Sequence, residues 1–272
     1  MSEVLWNRMT AAELRRAADH EAIVLLPVAS TEQHGPHLAT GVDTFLGGEV
    51  CRRTAELVAK QRPIVVAPTV WMGLAEHHVA YGGTFSISLP TYHALLRDLC
   101  DAILRAGFKK ILIVNSHGGN TAALAALATD LTRDLKAPIA TTSVYALPHR
   151  SESFAAVLED QKGVRHACEA ETSMMMAAFH DCVRKDKLPE AFGPKDVDSP
   201  TTQPLLVWKS FKDVTPSGVM GDARRASVAK GEKLLAIAAT LLADALIAGE
   251  PWSDVKGHEG HAHRGGTTAA GA

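Results

Sequence analysis

The 272-residue chain is 46% hydrophobic and 21% charged, a balance that supports a packed core and excludes wholesale disorder. Twenty-eight basic residues against 30 acidic ones leave a net charge of −2, with no electrostatic pull toward nucleic acid or an anionic membrane. Thirteen histidines stand against 7 Phe, 4 Trp and 3 Tyr, so imidazole is unusually prominent and its placement becomes the question.

The first twenty residues read as a short amphipathic helix, without the apolar core of a signal peptide. No later run reaches the roughly 18 apolar residues of a membrane span. Cys51, Cys100, Cys168 and Cys182 are widely spaced, which suits free thiols in a reducing compartment. A cytoplasmic protein is expected.

Ile23 to Val28 is a continuously apolar, β-branched run, as a strand covered on both faces requires. Helical spacing follows over 44–59, then a strand over 64–67. The stretch 72–89 lacks helical periodicity and is expected to be a loop or hairpin over the sheet edge. Thr91 caps a predicted helix with Leu95, Leu99 and Ile103 on its buried face and Gly107 as its stop. A strand over 111–114, a helix carrying Leu124, Leu127, Leu131 and Leu135, and a strand over 138–144 complete the alternation. This order predicts an α/β domain with a mostly parallel sheet flanked by helices. Frequent Pro, Asp, Ser and Thr over 188–219 suggest an irregular excursion that covers a site. A last long helix over 225–248 presents Leu234, Ile237, Leu241 and Ala245 and stops at Gly249. There is no internal repeat. Residues 1–256 are predicted to form the domain, and 257–272, with His258, His261 and His263, a disordered tail.

Three segments carry the chemistry. The first strand runs into Ser30-Thr31-Glu32-Gln33-His34-Gly35-Pro36-His37, with Asp43 at the start of the next helix. Alternation would turn Glu32 and His34 to one side and Gln33 away. The second segment, Asn115-Ser116-His117-Gly118-Gly119-Asn120, leaves the strand over 111–114, so in a parallel sheet His117 lies at the same edge as Glu32 and His34. An anion cradle there lacks the Lys and the spacing of a P-loop. The third, His166-Ala167-Cys168-Glu169-Ala170-Glu171-Thr172-Ser173, offers His166 and either Glu169 or Glu171, which compete for one role. Imidazole with carboxylate suits zinc, manganese or iron, and absent thiolate spacing argues against a structural zinc site. Five or six such groups suffice for two divalent ions sharing a carboxylate, whose natural chemistry is hydrolysis. Around them, His37 reads as a supporting partner, His77 and His78 as candidates for the pocket lining, and Cys168 as a packing residue.

Together, E-x-H-G-x-H, the downstream Asp, N-x-H-x-x-N and H-x-x-x-x-E-T-S resemble the creatininase (creatinine amidohydrolase) family, in order, from the first strand to about Met176. The resemblance implies an α/β fold, two divalent metals, a homo-oligomer such as a hexamer, and hydrolysis of an amide C–N bond in a small, often cyclic, substrate by metal-activated water. It implies Glu32 and His117 on one metal, His34 on the other, Asp43 bridging both, and His166 as the catalytic histidine. Creatininase itself has a carboxylate where this chain has Gly119, so Glu169 or Glu171 is the expected replacement, with Glu169 also carried as a catalytic candidate. Its tryptophans correspond to Tyr145 and Lys162, which points away from creatinine. N-S-H-G-G-N looks more like wider-family members, among them a formamide hydrolase and a peptidase that trims a mycofactocin precursor. Tyr145 and His78 are the expected substrate contacts. A catalytically idle metal or small-ligand module is the alternative of a different class.

Overall fold

A computed structural model describes residues 3–195, 205 and 207–253. Helix α1 (Ala11–Asp19) starts from a capping box in which Thr10 and Glu13 satisfy each other's backbone N–H groups. The sheet contains β1 (Ile23–Val28), β2 (Ile64–Val66), β3 (Lys110–Asn115) and β4 (Ile139–Ser143). Its order is β2-β1-β3-β4, and every pairing is parallel. Helices α2 (Val42–Val58), α3 (Leu89–Arg105) and α4 (Thr121–Leu135) alternate with the strands, as the sequence pattern predicts.

Every residue of β1 is buried because the sheet is covered on both faces. Leu25, Leu112 and Val114 pack with α2, α6 (Glu169–Ala178) and α8 (Val228–Ala248) in one core. Val24, Leu26, Ile111 and Ile113 pack with α3 and α4 in the other. Two short helices, α5 (Glu152–Ala155) and α7 (Phe211–Val214), lie in the connections.

Several boundaries and faces differ from the sequence pattern. Ser88, not Thr91, caps α3, and its buried stripe is Tyr92, Leu96, Cys100 and Ile103. Leu95 and Leu99 stand at the flank, where they line an apolar groove of about 420 Å³ with Trp6, Trp71 and Met72. Leucine spacing alone places this face one residue off, because Tyr92 and Cys100 are also core groups. On α8 the buried stripe runs through Leu234, Leu235, Ala238, Ala239, Leu242, Ala243 and Leu246. Ile237, Leu241 and Ala245 flank it. Small residues decide this: a Cβ on Gly231 would stand 1.9 Å from the Ser173 carbonyl, so glycine lets α8 press on α6. The 72–89 loop contains a 3-10 turn at Glu76–Tyr81. Within the 188–219 excursion the described residues include α7, and the tail histidines His258, His261 and His263 lie outside the described residues. Among the described residues, no helix is long and apolar enough to cross a membrane.

Candidate metal centre

All four strands run the same way, so the loops after β1, β3 and β4 open at one edge of the sheet. The chain leaves β1 at Ala29 and reverses at Gly35, whose φ of 67° favours glycine. Glu32, His34 and His37 are buried in this turn. Asp43 sits in the first turn of α2, where the helix N-terminus favours a carboxylate. His117 follows β3, and Glu171 lies in the first turn of α6.

These residues converge. One group is Glu32, Asp43 and His117, a second is His34, Asp43 and Glu171, and a third is Glu32, His34 and His166; within each, the ligand atoms lie inside 4.8 Å of one another. Asp43 belongs to the first two, with Oδ2 3.2 Å from His117 Nδ1 and Oδ1 3.5 Å from His34 Nε2. Glu32 Oε2 is 3.0 Å from His117 Nδ1, and Glu171 Oε2 is 4.0 Å from His34 Nε2.

Tautomers sharpen the reading. His117 Nε2 lies 3.2 Å from the Leu74 carbonyl and His34 Nδ1 lies 3.1 Å from the Glu32 carbonyl. A carbonyl only accepts, so each ring donates there, and the neutral ring turns a bare nitrogen toward the carboxylates. Lone pairs then face lone pairs. Glu32 Oε2, Asp43 Oδ2 and His34 Nε2 are buried with no hydrogen-bond partner. A bound cation relieves such an arrangement, and mixed imidazole and carboxylate donors fit a divalent metal.

The metal-free chain substitutes protons. Burial opposes charge on His34, but Asp43, Glu171 and Glu32 outweigh it and raise the imidazole to about 9. Burial is likewise overcome at His117, chiefly by the Glu32 carboxylate, and its imidazole is raised well above the ordinary value. Burial and Asp43 push the Glu171 carboxyl up to about 8, against the pull of His34. At Asp43 burial is overcome by the neighbouring His117 and His34 imidazoles, which hold the carboxyl well below its usual range. His34 and Glu171 therefore hold protons at pH 7 that a metal must displace. Affinity for Zn²⁺ should rise from pH 7 toward pH 9, by up to about tenfold per pH unit for each proton released. Titration calorimetry in buffers of different ionisation enthalpy counts those protons, and a flat affinity would contradict the assignment.

Glu169 is not in the cluster: its carboxylate accepts from the backbone N–H groups of Glu159 and Asp160 and from Lys230 Nζ. One helical residue separates it from Glu171, each step turning the helix by about 100°, so only one of the two can face the centre. The Glu171 carboxylate is steadied by the Ala167 N–H at 2.6 Å, from a left-handed Ala167 with φ 50°. Gly119 cannot carry a ligand. A Cβ there would stand 2.4 Å from the Leu74 carbonyl and 2.8 Å from His77 Cε1, so the His77 ring fills that space.

His166 lies beside the centre, with Nδ1 3.7 Å from Glu32 Oε1 and its ring 4.3 Å from that of His34. Burial, reinforced by the charge of His34, holds its imidazole well below the ordinary value. His78 is buried behind Glu32, with Nε2 3.3 Å from Oε1, and both ring nitrogens are engaged. Tyr145 is 7% exposed and its hydroxyl finds no partner. Burial, Glu171 and Asp43 raise that hydroxyl well above its usual value, so it remains a donor. His37 Nε2 is 2.7 Å from Thr172 Oγ1, the supporting place expected of it. Cys168 is buried, and burial pushes its thiol up to about 12, as suits a packing residue. Lys162 is exposed.

Two contributors escape sequence reasoning. Phe211 of α7 packs on the rings of His78 and His166 at 4.4 and 4.9 Å, a long-range contact that no motif signals. Gln33 turns inward, because the alternation rule assumes a strand that has already ended.

A parallel α/β scaffold thus carries, at the carboxyl edge of its sheet, a buried carboxylate and imidazole cluster able to hold a metal ion. The model of the family "Creatinine amidohydrolase" (Creatininase) matches residues 7–246. The creatinine amidohydrolase of Pseudomonas putida is 27% identical over 263 residues, 90% of this chain and 95% of that protein. A mycofactocin precursor peptide peptidase of Mycolicibacterium smegmatis is 30% identical over 217 residues, covering 79% of this chain and 80% of its own. A crystal structure of creatininase superposes with a TM-score of 0.79 at 24% identity, covering 92% of this chain and 99% of that one. The chain belongs to the creatininase family, and with it is a metal-dependent amidohydrolase.

Proposed function

We propose that the enzyme uses two divalent ions to hydrolyse the amide C–N bond of a small cyclic amide or formamide. The observation that carries this reading is the pair of three-residue groups sharing Asp43, with unpartnered Glu32, His34 and Asp43 atoms aimed between them. Glu32 and His117 would hold one ion, His34 and Glu171 the other, and Asp43 both. Bound there, divalent ions supply Lewis-acid polarisation of a carbonyl and a water acidified toward a pKa of about 7.

The chain's own residues do the rest. His166 donates from Nε2 to the Gln33 carbonyl at 2.8 Å, which leaves Nδ1 bare and turned to the centre. At neutral pH the ring is a free base; Nδ1 can take up the proton lost by the attacking water and pass it to the leaving nitrogen. Tyr145 offers its unpartnered O–H to orient the substrate carbonyl. Phe211, with the His78 ring beneath it, forms an apolar wall that excludes water. Tyr145 and Lys162 at the positions of creatininase's tryptophans, with Gly119 in place of its ligand carboxylate, support a substrate other than creatinine.

A peptidase reading has one observation in its favour, the 30% identity with a mycofactocin precursor peptide peptidase. Assays of Mn²⁺- or Zn²⁺-loaded protein on cyclic amides, formamides and short peptides separate the readings. Turnover of a cyclic amide or formamide is expected. Cleavage of peptides alone would favour the peptidase, and a metal-loaded protein inert on the whole panel would point to the idle binding module.

A further inference from the structure

Gln33 is 7% exposed and its side chain makes four polar contacts at the centre. Its Oε1 accepts from the Gly35 N–H at 2.9 Å, which fixes which end of the amide is oxygen. The other end, Nε2, is donor-only and lies 2.9 Å from His78 Nδ1, 2.9 Å from His166 Nε2 and 3.4 Å from the Gly218 carbonyl.

Donor and acceptor counting fixes two tautomers. An amide N–H aimed at His78 Nδ1 needs a lone pair there, so neutral His78 carries its proton on Nε2, which faces Glu32 Oε1 at 3.3 Å. His166 Nε2 stands between the Gln33 amide nitrogen and the Gln33 main-chain carbonyl at 2.8 Å, and one tautomer cannot serve both. The shorter contact, to a carbonyl, takes the His166 N–H, and the second amide hydrogen goes to Gly218. Gly218 is packed directly on this amide: a Cβ there would stand 2.1 Å from Gln33 Oε1.

We propose that Gln33 is a positioning residue: its side chain sets His78 as the Nε2–H tautomer that donates to Glu32 Oε1, leaving Glu32 Oε2 for metal. The same residue's carbonyl sets His166 as the Nε2–H tautomer with Nδ1 toward the centre. The consequence for metal rests on the reading of Glu32 as a ligand; the tautomer assignment does not.

Long-range ¹⁵N–¹H imidazole spectra of the metal-free protein test the assignment. In the native chain, His78 should show a protonated Nε2 and a bare Nδ1. Gln33→Glu replaces the donor by an acceptor and should move the His78 proton to Nδ1. Gln33→Met removes the donor, releasing His78 to a mixture of tautomers while His166 keeps its Nε2–H. Zn²⁺ affinity should fall about 10- to 100-fold in Gln33→Glu, the range for partners that orient a ligand. A native His78 protonated on Nδ1 overturns the proposal without needing any variant to fold, and so does a His78 spectrum unmoved by both substitutions. Unchanged Zn²⁺ affinity with a reversed tautomer overturns the link to Glu32. A native chain that binds no Zn²⁺ at all would instead fail the metal-centre reading, with the tautomer result still standing.

Discussion

Replacement of Asp43 by alanine should abolish metal-dependent activity and strip both ions together. Its two oxygens face different imidazoles, and it belongs both to the group with Glu32 and His117 and to the group with His34 and Glu171. Loss of metal assistance worth several kcal/mol corresponds to at least about a thousandfold in rate. Elemental analysis after loading and gel filtration reads metal content, and far-UV circular dichroism checks the fold. An Asp43→Ala protein that keeps two ions per chain would remove Asp43 from the shared position. One that loses a single ion would restrict it to one side.

Substitution of the two α6 glutamates should separate chemistry from stability. Glu171→Gln keeps the shape of the side chain and removes the charge facing His34, so one ion and the activity should be lost while the melting temperature of the metal-free protein holds. Glu169→Gln should do the reverse. Its buried carboxylate holds Lys230 and two backbone N–H groups, and breaking one partner of a buried pair costs about 3–5 kcal/mol. At about 2–4 °C per kcal/mol, the melting temperature should fall by about 6 °C or more, with metal content unchanged. Thermal melts and metal analysis on both variants decide it. A Glu169→Gln protein that melts normally but binds one ion fewer would invert the assignment.

Sequence order carries much of this protein. Continuous apolar runs at 23–28 and 111–114, alternating with helical spacing, suffice for a two-faced parallel sheet, because only strands covered on both sides remain apolar at every position. Parallel strands then force the loops at 30–37 and 116–120 to one edge, which brings Glu32, His34 and His117 together before any coordinate is known. The third segment is legible as chemistry but not as geometry. Glu169 and Glu171 differ by two residues, and which one faces the centre depends on where α6 begins, which is set by the left-handed Ala167 and by Lys230 arriving from α8. Alternation misplaces Gln33 for a related reason: the strand ends at Val28, and the turn at Gly35 re-aims the side chains around it. Residue type and spacing determine which ligands are offered and on which edge of the sheet they gather. Only tertiary packing decides which carboxylate is turned inward, which nitrogen of each imidazole is left bare, and that His77 fills the space beside Gly119, because these depend on contacts between segments far apart in the chain.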